Sequence, residues 1–131
     1  MATSPETGAV TGMPRLILRA EGLALGLLAV FLYGRLGESW WLFAALILVP
    51  DLTLLGYLAG PRAGAAIYNA GHSLAGPAIL ACLGFVLPAF ILIAIALVWI
   101  AHIGADRALG LGLKYGSGFS FTHLGRIGRR S

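Results

Sequence analysis

Six ionisable or amide side chains, Glu21, Asp51, Asn69, His72, His102 and Asp106, lie inside stretches otherwise built of aliphatic, aromatic and small residues. A charged group at bilayer depth costs roughly 2.5–3.5 kcal/mol on insertion scales, so such residues persist where they meet one another or a ligand. Neutral imidazoles and carboxylates together are ligands for zinc, iron, manganese or nickel. Asp51, His72, His102 and Asp106 would give two nitrogens and two carboxylates, with His123 as a further ligand from the C-terminal segment. Glu21 is the candidate general base. Asn69 and Tyr68 would orient a ligand or a bound water. An open coordination position would let the ion polarise that water for hydrolysis.

The spacing supports convergence. Asn69 and His72 are three residues apart, and Tyr68 and His72, like His102 and Asp106, are four apart. On a helix each pair shares a face. Pro50 precedes Asp51 and removes a helix donor, so a carbonyl is freed near the carboxylate. Ser73 beside His72 is no nucleophile partner, because adjacent helical residues point about 100° apart.

These residues need apolar elements to carry them. Of the 131 residues, 59% are hydrophobic and 11% charged, against about 25% charged in a soluble domain. Four apolar segments follow one another: 16–33, 40–58, 64–85 and 88–105. Each approaches the ~20 helical residues that cross ~30 Å of hydrocarbon. Without water the backbone must satisfy itself, so the segments are expected as helices, and their short links make neighbours antiparallel. The fold expected is all-α: a four-transmembrane-helix antiparallel bundle over 15–109. A disordered leader (1–14) precedes it, and a basic, glycine-rich, amphipathic cytoplasmic tail (110–131) follows. The leader lacks the basic start of a signal peptide. In the tail, Phe119, Phe121 and Leu124 are expected to dip into the interface while Arg126, Arg129 and Arg130 meet lipid phosphates.

Charge orients the bundle. Of the nine Lys and Arg residues, only Arg35 falls on the side opposite the others. The positive-inside rule then puts both termini in the cytoplasm of a bacterial inner (plasma) membrane. Trp40 and Trp41 would mark the outer interface. The pI near 9.8 does not indicate nucleic acid, because the basic residues sit at helix ends rather than on one face. Cys82 is the single cysteine, so no internal disulfide forms.

With the spans in this topology, all six polar groups lie within roughly 12 Å of the inner boundary at ~1.5 Å per residue. Scattered polar residues would occupy several depths. Two other readings use the same residues. Interhelical hydrogen bonds hold a non-catalytic bundle together at about 0.6 kcal/mol each. Alternatively, Glu21, Asp51, His72 and His102 relay protons in a small-solute carrier, with a homo-oligomer supplying the polar path that the outer half lacks. Membrane lipids are the expected partners in every case.

The runs Pro50-Asp51, Gly56-Tyr57, Gly60, Gly64, Tyr68-Asn69-x-x-His72, Ala101-His102-Ile103-Gly104-x-Asp106-Arg107, Lys114-Tyr115 and His123-Leu124-Gly125 carry a resemblance. They resemble a small bacterial four-helix integral-membrane protein family catalogued as a domain of unknown function, from about Leu16 to Gly125. The resemblance implies a compact four-span protein and no particular activity. Pro50-Asp51 and His72-Ser73 are also similar to elements of bacterial membrane-bound metal-dependent hydrolases. The second acidic residue after Pro-Asp and the Arg after the first histidine of those enzymes have no counterpart here. That similarity implies a metal site.

Overall fold

The computed structural model describes residues 8–116 and 121–127. It is all-α apart from a two-residue hairpin. Helix α1 runs over Gly12–Leu36, α2 over Trp40–Leu46, a 3-10 helix over Val49–Ala59, α3 over Pro61–His72, α4 over Ala75–Val86 and α5 over Phe90–Ala108. The hairpin strands are β1, Phe121–Thr122, and β2, Gly125–Arg126. Among the described residues four helical stretches are long and apolar enough to cross a membrane: Gly12–Leu36, Trp40–Ala59, Pro61–Val86 and Phe90–Ala108. The second and third are not single α-helices, which the hydropathy pattern did not anticipate.

Proline explains both departures. Pro50 cannot donate a backbone hydrogen bond, so α2 ends just before it and the chain continues with the tighter i→i+3 pattern. The Asp51 amide accordingly donates to the Leu48 carbonyl at 3.0 Å. Pro77 crowds and fails to bond the carbonyl four residues back, that of Ser73. There the backbone turns extended, and α3 stops at His72.

Eleven residues of 3-10 helix are a long run. With three residues per turn, side chains stack in straight columns. Val49, Leu52, Leu55 and Leu58 form one column, 45%, 63%, 63% and 89% exposed. The column of Thr53 and Gly56 lies against α3, where Thr53 meets Gly71 and Gly56 meets Ile67. Asp51 and Leu54 of the third column line a pocket, and Tyr57, next in that column, lies against Gly64 of α3.

Helix α5 is the central element, packed on α1, α2 and α4, while α3 packs on the 3-10 helix. The α1–α5 seam is backbone against backbone. A Cβ added at Gly104 would lie 2.6 Å from the Gly22 carbonyl oxygen and from the Gly26 amide nitrogen. Small residues four apart allow this approach, which drives helix association in lipid. Near the opposite end, Tyr33 is fully buried with Ala94 and Val98, and its hydroxyl donates to the Ser39 carbonyl at 2.5 Å. Trp41 is 86% exposed at the start of α2. Leu16, Leu23, Leu27, Phe31, Ile79 and Phe85 are likewise exposed, an apolar belt suited to lipid.

The segment after α5 folds back across the start of α1. The Val10 amide donates to the His123 carbonyl at 2.8 Å and the His123 amide to Leu113 at 2.9 Å. Arg15 Nε donates to the Leu124 carbonyl. The part of the leader at residues 1–7 lies outside the described residues, while α1 begins at Gly12, earlier than expected. Leu124, expected at the lipid interface, is fully buried instead. Its backbone is held by Arg15, which draws it under the bundle. Phe119, Arg129 and Arg130 lie outside the described residues.

Candidate metal centre

Four side chains from three elements meet at one point. Asp51 comes from the 3-10 helix, His72 from the last position of α3, and His102 and Asp106 from successive turns of α5. Their donor atoms all lie within 4.8 Å of one another. His72 Nε2 is 3.1 Å from His102 Nε2. It is 3.3 Å from Asp51 Oδ1 and 3.4 Å from Asp106 Oδ2. His102 Nε2 is 3.1 Å from Asp51 Oδ1 and 3.2 Å from Asp106 Oδ2. A tetrahedral ion bonded at ~2.0–2.1 Å sets its ligand atoms about 3.3–3.4 Å apart; the five separations above lie near that, while the Asp51–Asp106 pair falls within the 4.8 Å span of the set. Both histidines are buried, at 3% and 5% exposure.

The other ring nitrogens decide what the facing ones present. His72 Nδ1 is 3.0 Å from the Tyr68 carbonyl oxygen, and His102 Nδ1 is 2.6 Å from that of Ile47. A carbonyl oxygen only accepts, so each Nδ1 carries the hydrogen and donates. In the neutral ring each Nε2 then presents a lone pair. In that neutral form two lone pairs and two carboxylates converge, an arrangement able to hold a cation among them. A ring nitrogen tied to a backbone carbonyl is the usual support of a metal-ligating histidine.

The support follows from the breaks in the helices. In the 3-10 pattern the Ile47 carbonyl would accept from residue 50, which is Pro50 and has no N–H. Ile47 is thereby available to His102. The α3 terminus leaves carbonyls open as well. Trp99 Nε1 donates to the Gly71 carbonyl at 2.6 Å, and Arg107 Nη2 to that of His72 at 3.4 Å. Tyr68 stacks on the His72 ring with centroids 3.8 Å apart. Thr53 Oγ1 donates to the Pro50 carbonyl at 2.6 Å and lies 3.5 Å from His72 Nδ1.

The remaining sequence candidates sit elsewhere. Asn69 clamps the segment after α5: its Nδ2 donates to the Lys114 carbonyl at 2.7 Å and its Oδ1 accepts from the Lys114 amide at 2.6 Å. His123 stands apart from the four donors, its Nδ1 accepting from the Leu113 amide at 2.9 Å. Burial and the nearby Arg107 charge lower its pKa, although the Leu113 backbone contact works the other way. Glu21 is exposed on α1 and lines a different pocket with Leu18, Leu25, Leu74 and Arg107.

One residue was overlooked as a site residue by sequence reasoning. Lys114 stands with Asp51, Asp106, Tyr68, Leu54, Leu111 and Ile127 around a pocket of about 310 Å³. Its ammonium sits 4.6 Å from the Tyr68 ring centroid. Burial lowers its pKa to about 8, with the Asp106 carboxylate pulling the other way. Its place in the sequence, just past the last span, reads only as an orienting charge.

Fold and site together define a class: a small four-helix protein of apolar, membrane-type helices with a His/Asp cluster, its histidines buried, able to hold a metal ion. Within that class, the chain belongs to the family described as Domain of unknown function (DUF4260), whose model matches residues 15–127. No curated protein and no solved structure matches the chain.

Proposed function

We propose that this protein is a metalloprotein of the bacterial inner membrane. Asp51, His72, His102 and Asp106 would hold one divalent ion of the zinc, iron or manganese type, and the centre would serve a reaction on a lipid-like substrate. The observation that carries the reading is the pair of bare Nε2 atoms 3.1 Å apart, each fixed by a carbonyl behind it. The skew of positive charge supports placing both termini and the site on the cytoplasmic side. Membrane lipids are then its immediate partners.

Bound there, a divalent ion supplies Lewis acidity and a lowered pKa for a coordinated water. The chain supplies the rest. Ile47 and Tyr68 hold the rings in one tautomer, Tyr68 covers one face of His72, and the packed helices exclude bulk water from the histidines. The pocket beside Asp51 and Asp106 gives a small molecule access from the carboxylate edge.

Elemental analysis of the untagged, detergent-purified chain tests the proposal, beside a His72→Ala/His102→Ala double variant. Near-stoichiometric metal in the natural chain and none in the variant is the expected result. No metal in either, after supplementation during growth, would overturn it in favour of a structural or proton-relaying cluster.

A further inference from the structure

We infer that the groove between α1, α5 and the α3–α4 link binds one phospholipid whose headgroup carries a primary ammonium. Its phosphate would meet Arg107 and its ammonium Glu21, while the first carbons of its chains would lie on Leu18, Leu25, Leu74 and Ile103. The inference goes beyond the metal reading and does not depend on it.

The starting point is Glu21. It is exposed on α1, and among the described residues its carboxylate has neither a hydrogen bond nor an ion pair. A charge on a lipid-facing helix is costly unless something answers it. Its neighbour Gly22 packs on Gly104 and Arg107, so Glu21 lies level with the final turns of α5. That is one edge of the apolar span, where lipid headgroups begin.

Arg107 supplies the opposite charge. Gly22 lets the Arg107 Cβ close on α1, since any Cβ there would clash with it. Glu21 and Arg107 then line one groove without pairing with each other. The guanidinium has five N–H donors. Among the described residues it spends one, from Nη2, on the His72 carbonyl at 3.4 Å. The others suit phosphate oxygens, which a guanidinium binds as a fork. The nearby charges are turned elsewhere: Asp106 to the two histidines, and Arg19 to the Ala108 carbonyl at 2.9 Å.

The described lining therefore carries one carboxylate and one guanidinium, set apart and formally neutral in sum. A zwitterion with phosphate and ammonium answers both. An anionic lipid answers Arg107 and leaves Glu21 unanswered. A trimethylammonium head has no N–H to give the carboxylate. The rest of the wall is aliphatic apart from two glycines, and about 280 Å³ accommodates a headgroup with the first carbons of its chains.

Native mass spectrometry of the full, detergent-purified chain tests this, with titration by four dioleoyl lipids: phosphatidylethanolamine, phosphatidylcholine, phosphatidylglycerol and diacylglycerol. The expected result is one phosphatidylethanolamine per chain at concentrations about tenfold below the other two phospholipids, with diacylglycerol weakest. Glu21→Gln should bring phosphatidylethanolamine to the level of phosphatidylglycerol, and Glu21→Lys should reverse their order. Arg107→Met should weaken all three phospholipids about tenfold. A merely structural Glu21 would change stability and leave the order of lipids as it was.

Equal affinity for the three phospholipids would overturn the inference, as would an unchanged order in Glu21→Gln. Diacylglycerol bound as tightly as phosphatidylethanolamine would reject the phosphate contact and the inference with it. Elemental analysis of the same samples is a separate readout. Metal without a lipid preference rejects this inference alone, and a lipid preference without metal rejects the metal reading alone. Should Arg107→Met fail to fold, the four-lipid comparison and the Glu21 variants decide.

Discussion

The two sides of the metal centre are built on opposite principles. His102 and Asp106 stand four residues apart on α5, a continuous helix pressed against α1 through Gly22, Gly26 and Gly104. Asp51 and His72 stand where helices fail, one just past Pro50 and the other at the end of α3. The continuous side gives fixed spacing and spends its carbonyls on itself. The broken side gives His102 the Ile47 carbonyl that Pro50 frees, and it ends α3 where the His72 ring can turn back onto the Tyr68 carbonyl of its own last turn. A site needing both rigid spacing and backbone acceptors inside lipid is well served by one helix of each kind.

The seam offers the largest perturbation. Gly104→Leu places a side chain where the α1 backbone already lies, and neither backbone can yield. It should prevent folding or lower thermal stability in detergent by several kcal/mol, on the scale of severe overpacking at about 1–3 kcal/mol or more. A chain that keeps its melting temperature would show that the seam is not rigid.

Ligand removal comes next. His72→Ala and His102→Ala should each lower metal affinity by at least about 100-fold, beyond the 10–100-fold typical of losing a supporting group, while helical content measured by circular dichroism stays near the natural value. If only the α5 ligand mattered, the broken side would be dispensable.

Pro50→Ala sharpens the contrast most directly. It returns an N–H to the segment, which competes with His102 for the Ile47 carbonyl. Metal affinity should fall about 10–100-fold although no ligand has been touched, and stability should hold or rise. Unchanged affinity would remove the Ile47 contact from the account.

The smallest effect concerns the segment after α5. His123 Nδ1 accepts from Leu113 only while the ring is neutral, and its folded pKa lies below the ordinary value. The unfolded segment therefore binds more protons between the folded pKa and about 6.5. Docking is fully supported above about 6.5 and weakens as pH falls through the folded value. Proteolysis of the segment should quicken across that window in the natural chain and show no such dependence in His123→Asn.

Much of this was legible in the sequence because lipid makes polar residues conspicuous. The depth shared by Asp51, His72, His102 and Asp106, and the single face of His102 and Asp106, follow from helical rise and spacing alone. What was hidden is rotation. Gly22 and Gly26 turn one side of α1 to α5, and Glu21, about 100° round from Gly22, is thereby carried away from the four donors. Spacing within one helix cannot report that, because the phase between helices is set by packing. His123 was hidden for a related reason: a histidine in an irregular segment can satisfy its ring from nearby backbone, and here Leu113 does so. Pro50 did announce a freed carbonyl, but only the fold identifies it as Ile47 and pairs it with His102.

The three columns of the 3-10 helix give the second span something like a reading frame. Because its side chains repeat every three residues, one column faces outward, one meets α3 and one turns Asp51 and Leu54 to the pocket. Inserting a single residue just after Asp51 would shift every later position by a column, presenting leucines to α3 and glycine to the pocket. Removing a whole triplet would shorten the segment by about 6 Å and leave the assignment of faces intact. Length variation in this stretch should therefore be tolerated in threes, a rule more familiar from coding nucleic acid than from a membrane helix.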